Sequence, residues 1–107
     1  MLNFFKRLLG SETMRALGAK RDPRWREVRN KFAKENPFCM VCDSKRVDVH
    51  HIIPFSQDPA LELDYMNLTS LCRDHHFFIG HLNSWRSYNV TVLSDAAHWR
   101  YKIQTRP

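Results

Sequence analysis

The sequence predicts a small α+β domain: a finger of two short strands and a helix, stapled by a metal ion and flanked by further helices. Three observations predict it. The chain has 107 residues, which is room for one domain with a thin core. It has three cysteines, a number that cannot pair off, so metal ligation is a better reading than a disulfide scaffold. Two short runs of strand character sit between segments of helical periodicity. Chains this small often recruit a metal to hold together.

The elements follow in order. Phe4, Phe5, Leu8 and Leu9 repeat at helical spacing and Gly10 marks a stop, so residues 1–20 read as a peripheral segment. Asp22-Pro23 is a good start for a helix, with Asp as N-cap and Pro at the first helical position. Trp25, Val28 and Phe32 share one face, Arg24, Arg26, Arg29, Lys31 and Lys34 cover the others, and Pro37 ends the helix. A tight turn from Phe38 to Asp43 comes next. Val47 to Ile53 has the β-branched enrichment of a strand, closed by Pro54. A polar loop runs to Tyr65, a second strand is expected at Leu68–Leu71, and a helix from Arg73 to Trp85. The tail from Thr91 to Gln104 is a further helix, with Ser94 or Asp95 near its start. Residues 21–107 thus form the folded domain.

Charge is uneven along the chain. Residues 1–34 carry ten Lys/Arg against three acids, a net of +7, while residues 35–107 carry seven against eight, a net of −1. The basic third is a candidate for phosphate-backbone contact, through Arg24, Arg29 and Lys31; a solvated basic helix explains it equally well. No window is long and apolar enough for a membrane span. The apolar start is interrupted by Lys6 and Arg7 and no small-residue cleavage site follows, so the expected location is the cytoplasm.

Cys39-Met40-Val41-Cys42 is followed, after 29 intervening residues, by Cys72-Arg73-Asp74-His75. A two-residue spacer lets both side chains of a turn reach one ion. Two such pairs of thiolate and imidazole donors suit tetrahedral zinc. With one pair on a knuckle and the other at a helix start, the arrangement is treble-clef-like. All four positions are filled by protein, so this zinc is read as structural.

His50-His51-Ile52-Ile53-Pro54, then Asn67-Leu68, then Leu71 to His76, resembles the HNH endonuclease family in order and spacing, from Cys39 to His76. The helix before the knuckle looks like the lead-in of free-standing members. Five of the six histidines lie between positions 50 and 81, and the zinc frame explains only His75. The resemblance implies a zinc-stapled ββα-metal finger that hydrolyses DNA phosphodiesters, double-stranded DNA foremost, with Mg²⁺ or another divalent cation. It makes His51 the general base, a role imidazole suits because it titrates near working pH. His50 and His76 hold the catalytic ion, and Asn67 orders the bend that brings His50 and His51, on opposite strand faces, to one site. Asp48 shares a strand face with His50, so it completes the ion's ligands, fixes His50, or is a surface residue.

Two features depart from the commonest pattern. His75 stands where most relatives have Cys. Some relatives also place a metal-binding His where this chain has Gly80. His81 falls one step late for that helical face, which weakens the case for direct ligation and makes a phosphate contact an equal reading. Trp85 reads as core rather than as a platform for bases, and His98 lies outside any motif. The alternative function is a treble-clef module that binds nucleic acid or protein without cutting it. Small free-standing relatives often occur in phages beside the packaging machinery, which makes phage packaging proteins candidate partners and a phage gene a candidate origin.

Overall fold

The structure is a computed structural model that describes residues 20–107; the N-terminal segment read from Phe4 to Gly10 lies outside the described residues. Helix α1 spans Trp25–Glu35, strand β1 Asp48–His51 and strand β2 Leu68–Leu71. Helix α2, Arg73–His75, continues as a π turn over His76–Gly80, and helix α3 spans Val92–Gln104. The strands are antiparallel, pairing Asp48 with Leu71, Val49 with Ser70, His50 with Thr69 and His51 with Leu68.

Asp22 starts α1 from two residues further out than an ordinary N-cap. Its carboxylate accepts from the Arg24 amide at 2.9 Å, and its carbonyl from the Trp25 amide at 3.0 Å. The knuckle is closed by Cys39 N–H donating to Ser44 at 2.8 Å and is pinned to β2 by Met40 N–H donating to Ser70 at 2.9 Å. Asp43 turns it with φ of 62°, a left-handed conformation that Asp tolerates. The core is small: Cys39, Val41, Ile52, Leu71, Ile79, Val92 and Ala96. Val92 and Ala96, one helical turn apart, bring α3 into that core. Arg100 then grips Asp43 through two bonds of 2.7 and 3.0 Å, tying α3 to the knuckle.

The helix expected to reach Trp85 ends at Gly80. The His81 amide bonds the His76 carbonyl at 3.0 Å, a five-residue step, and Leu82 and Asn83 then take φ of 52° and 65°. A π turn holds one residue more than an α turn, and this one is located at the site described next. The tail helix starts where buried Asn89 accepts from the Thr91 amide at 3.0 Å and donates to Asp95 at 2.7 Å, with Ser94 and Asp95 in its first turn as expected.

Candidate metal centres and active site

The donor atoms of Cys39, Cys42, Cys72 and His75 lie within 4.8 Å of one another. Their separations are 3.6 Å from Cys39 Sγ to His75 Nδ1, 3.9 Å from Cys42 Sγ to Cys72 Sγ and 3.3 Å from Cys72 Sγ to His75 Nδ1. A tetrahedral zinc ion, with bonds of about 2.3 Å to sulfur and about 2.0 Å to nitrogen, needs edges of about 3.8 Å between sulfurs and about 3.5 Å between sulfur and nitrogen. The set fits. Its charge fits as well. Burial opposes the Cys39 thiolate, but the Cys72, Cys42 and Val41 backbone and the His75 ring outweigh it and bring the thiol down to about 7. Cys72 is pushed up to about 11, by burial first and also by the charge of Cys39. A second thiolate therefore needs a cation beside it.

A second group, His50, His76 and His81, also has its donor atoms within 4.8 Å of one another. Asp48 Oδ2 lies 2.9 Å from His76 Nδ1 and the Ser87 carbonyl lies 2.7 Å from His81 Nδ1. Both oxygens accept, so both rings carry their proton on Nδ1 and turn bare Nε2 atoms toward each other, 3.2 Å apart. Between them lies His50, 1% exposed, whose Nε2 is buried with no hydrogen-bond partner. Burial pushes the His50 pKa down to about 3, with the neighbouring His76 and His81 adding to it, and burial also lowers His76. Three imidazole rings with converging nitrogens are a donor set for one cation.

The π turn explains His81. In an α-helix position 81 is one step beyond the face that carries His76, but the extra residue of a π turn brings i+5 round to where i+4 would stand. The case against His81 as a ligand assumed regular helix; with the π turn its donor atom lies with those of His50 and His76. Gly80 leaves room for the cluster: a Cβ there would meet His50 Cε1 and Nε2 at 3.2 Å and Leu71 Cδ1 at 3.3 Å. Gly80→Ala is expected to weaken cation binding at the three histidines about tenfold by displacing His50, a loss of the size seen when a ligand's support is removed. Titration with Co²⁺, followed by absorbance, measures it; unchanged affinity would mean His50 is free to shift.

Asp48 is not among the donors. It orients His76 rather than His50, and it also pairs with Arg73 Nε at 3.3 Å. His51 lies on the opposite strand face, yet it borders a cleft of about 330 Å³ that His50, His76 and His81 also line. Its Nε2 is 2.9 Å from the Glu62 carbonyl, so Nε2 bears the proton and Nδ1 the lone pair. Trp25 of α1 packs against the ring, tilted by 35° with the centroids 4.2 Å apart. Burial lowers the His51 pKa, and the Arg21 charge lowers it further against the raising effect of the Glu62 carbonyl. Asn67, buried, accepts from the Ile53 amide at 2.8 Å and donates to the Ile53 and Leu61 carbonyls at 3.0 and 3.3 Å, clamping the loop just after His51.

The basic residues lie in different settings. Arg24 is held by Asp22 at 2.8 Å and Lys31 lies 4.0 Å from Glu35. Arg29 lines a groove of about 480 Å³ that reaches His51, and Arg21 lines both this groove and the histidine cleft. Arg21 bonds the buried Glu62 carboxylate at 2.5 Å and lies 4.7 Å over the Phe55 ring. Neither Arg21 nor Glu62 belongs to a sequence motif; the only signal was Arg21 within the basic third. His98 is exposed on α3, away from both clusters.

Two antiparallel strands, a helix and two metal-donor clusters make this a small ββα-metal fold. Residues 39–76, about a third of the chain, match the family model described as HNH endonuclease. No curated protein and no solved structure matches the chain.

Proposed function

We propose that the chain is an endonuclease that hydrolyses DNA phosphodiesters, with His51 as general base and a divalent cation on His50, His76 and His81. The observation that carries this reading is the convergence of three bare imidazole nitrogens on one cleft with a fourth histidine whose lone pair is on the other nitrogen. A module that only binds has no use for a base beside such a set. Cys39, Cys42, Cys72 and His75 hold a structural zinc ion that shapes the finger. The histidine donors favour a transition-metal ion over Mg²⁺, which prefers oxygen ligands. A cation held there supplies polarisation of the phosphate and charge for the departing oxygen.

The remaining work falls to side chains. His51 Nδ1 takes a proton from water, whose oxygen attacks phosphorus as the bond to the departing oxygen breaks. The Glu62 carbonyl and the Trp25 ring keep His51 in the required tautomer and orientation. Asn67 fixes the loop behind it. Asp48 keeps the His76 lone pair turned into the cluster, and Arg21 offers its guanidinium to the phosphate.

The test is incubation of supercoiled plasmid with the purified protein across Mn²⁺, Co²⁺, Ni²⁺, Zn²⁺ and Mg²⁺. Nicked or linear product that disappears with chelator is expected; intact plasmid under every ion would leave the binding-module reading standing. Arg21 and Arg29 are expected to carry backbone affinity. Replacing both by Gln should flatten the dependence of log affinity on log salt by about 0.9 per lost phosphate contact. The Arg24 and Lys31 double variant, whose side chains line neither this groove nor the histidine cleft, should alter the slope less; equal slopes for the two variants would remove the groove from the binding path.

A further inference from the structure

Trp85 is not core. It is 51% exposed, and its ring packs against His76 at 5.2 Å and His81 at 4.9 Å. Its outer side forms part of an open, largely apolar cleft of about 610 Å³, whose other walls include Phe77, Phe78, Arg73, Asp74 and Asn83. Phe77 lies 5.0 Å from Trp85, and Phe78 is 51% exposed. The Arg73 guanidinium sits 5.6 Å over the Trp85 ring while its Nε pairs with Asp48, the same carboxylate that orients His76. The two left-handed residues Leu82 and Asn83 turn the chain so that the Asn83 amide joins the rim.

We propose that this cleft receives an unpaired nucleobase of the nucleotide beside the phosphate held at the histidine cluster, and so directs cutting to single-stranded or locally opened DNA. The proposal rests on the nuclease reading and adds a substrate class to it. The chemistry of the walls selects the occupant. Aromatic faces stack on any base, an amide and a carboxylate offer acceptors and a donor to its edge, and an arginine meets the adjoining phosphate. Position bears on it as well: the Trp85 ring that walls this cleft also packs on His76 and His81, so a base in the cleft is one side chain away from the histidine cluster. A base stacked and paired in a duplex hides the face this cleft reads, so the base must be unpaired to enter. A greasy peptide would offer nothing to the Asp74 carboxylate or the Asn83 side-chain amide on the cleft wall.

The experiment has two arms, each using the full-length zinc-loaded protein. In the first, His51→Ala protein, which should bind without cutting, is titrated against a single-stranded oligonucleotide containing 2-aminopurine. Stacking in the cleft is expected to quench the emission, and adding Phe78→Ala or Asn83→Gly should remove that quench. The Phe78 ring packs on Trp99 at 6.5 Å and is already half exposed, neither residue is a donor in either metal cluster, and Gly keeps the left-handed turn at 83. In the second arm, His51-intact protein is given a duplex with an unpaired bubble, the same duplex fully paired, and the bubble with an abasic nucleotide at the mapped cut. The bubble is expected to be cut about tenfold faster than either, the size of one stacking contact, and Phe78→Ala should erase the preference. Unchanged emission together with equal cutting of all three substrates would overturn the base cleft while leaving the nuclease reading intact. Quenching that depends on Phe78, with no cutting of any substrate, would sustain the cleft and overturn the nuclease reading. Loss of the quench on adding an apolar peptide, but not on adding a nucleoside monophosphate, would assign the cleft to a protein partner and overturn the proposal.

Discussion

Replacing His51 by Ala is expected to lower the cleavage rate by about 10²–10⁴-fold, the usual contribution of a positioned general base. Zinc content should not change, because His51 lies outside the Cys39, Cys42, Cys72, His75 set. The melting temperature should fall only slightly, from loss of the ring contact with Trp25 at 4.2 Å. The pH profile carries the more specific signature. A base must be neutral to act, so the rate falls as pH drops through the His51 pKa. Burial first, and then the charge of Arg21, hold that pKa below the ordinary 6.5, so the acid limb of the profile should lie below pH 6.5. Arg21→Gln removes the lowering charge and should move the limb upward, toward neutral pH, besides weakening phosphate contact. A limb that stays in place in Arg21→Gln, or a His51→Ala variant with full activity at neutral pH, would take His51 out of the mechanism.

The finger was legible in the sequence because its signals are local. The two x-x spacers around Cys39, Cys42, Cys72 and His75 specify a metal site by chemistry alone, and the β-branched run ending at Pro54 specifies β1. Asn67 was legible through the resemblance, and its bonds to both sides of Ile53 give that role a geometry. What was hidden depends on backbone departures that no side-chain pattern announces. The π turn at His76–Gly80 shifts the helical face by one residue, which moves His81 from the rim into the cluster and leaves Trp85 on an open loop. Glu62 was hidden for a different reason. A lone Glu in a polar loop reads as solvated, yet its carboxylate bonds Arg21 and the Asp22 amide while its carbonyl fixes His51. Charge counts also do not show which cations line the groove at His51: Arg21 and Arg29 do, while Arg24 and Lys31 do not.

The neighbouring histidines should separate the two metal sites. His75→Ala, like Cys39→Ser, is expected to release zinc and unfold the finger, because structural zinc contributes folding free energy of roughly 10 kcal/mol in small fingers. A domain of this size has only about 5–15 kcal/mol in total. His76→Ala should keep its zinc, since none of the four frame donors is touched, while losing cation binding at His50 and His81 and with it the cutting. The basis is direction. Successive helical residues point about 100° apart, so at the junction of α2 with the π turn one ring faces the knuckle and the next faces β1. The distances agree: His75 Nδ1 is 3.3 Å from Cys72 Sγ, whereas His76 Nδ1 is 2.9 Å from Asp48. Zinc content, melting temperature and plasmid nicking of the two variants decide the matter. An early-melting, zinc-free His76→Ala beside a folded but inactive His75→Ala would reverse the assignment of the two rings. Two folded, active variants would dissolve both metal sites as drawn, and with them the role of the histidine cluster in cutting.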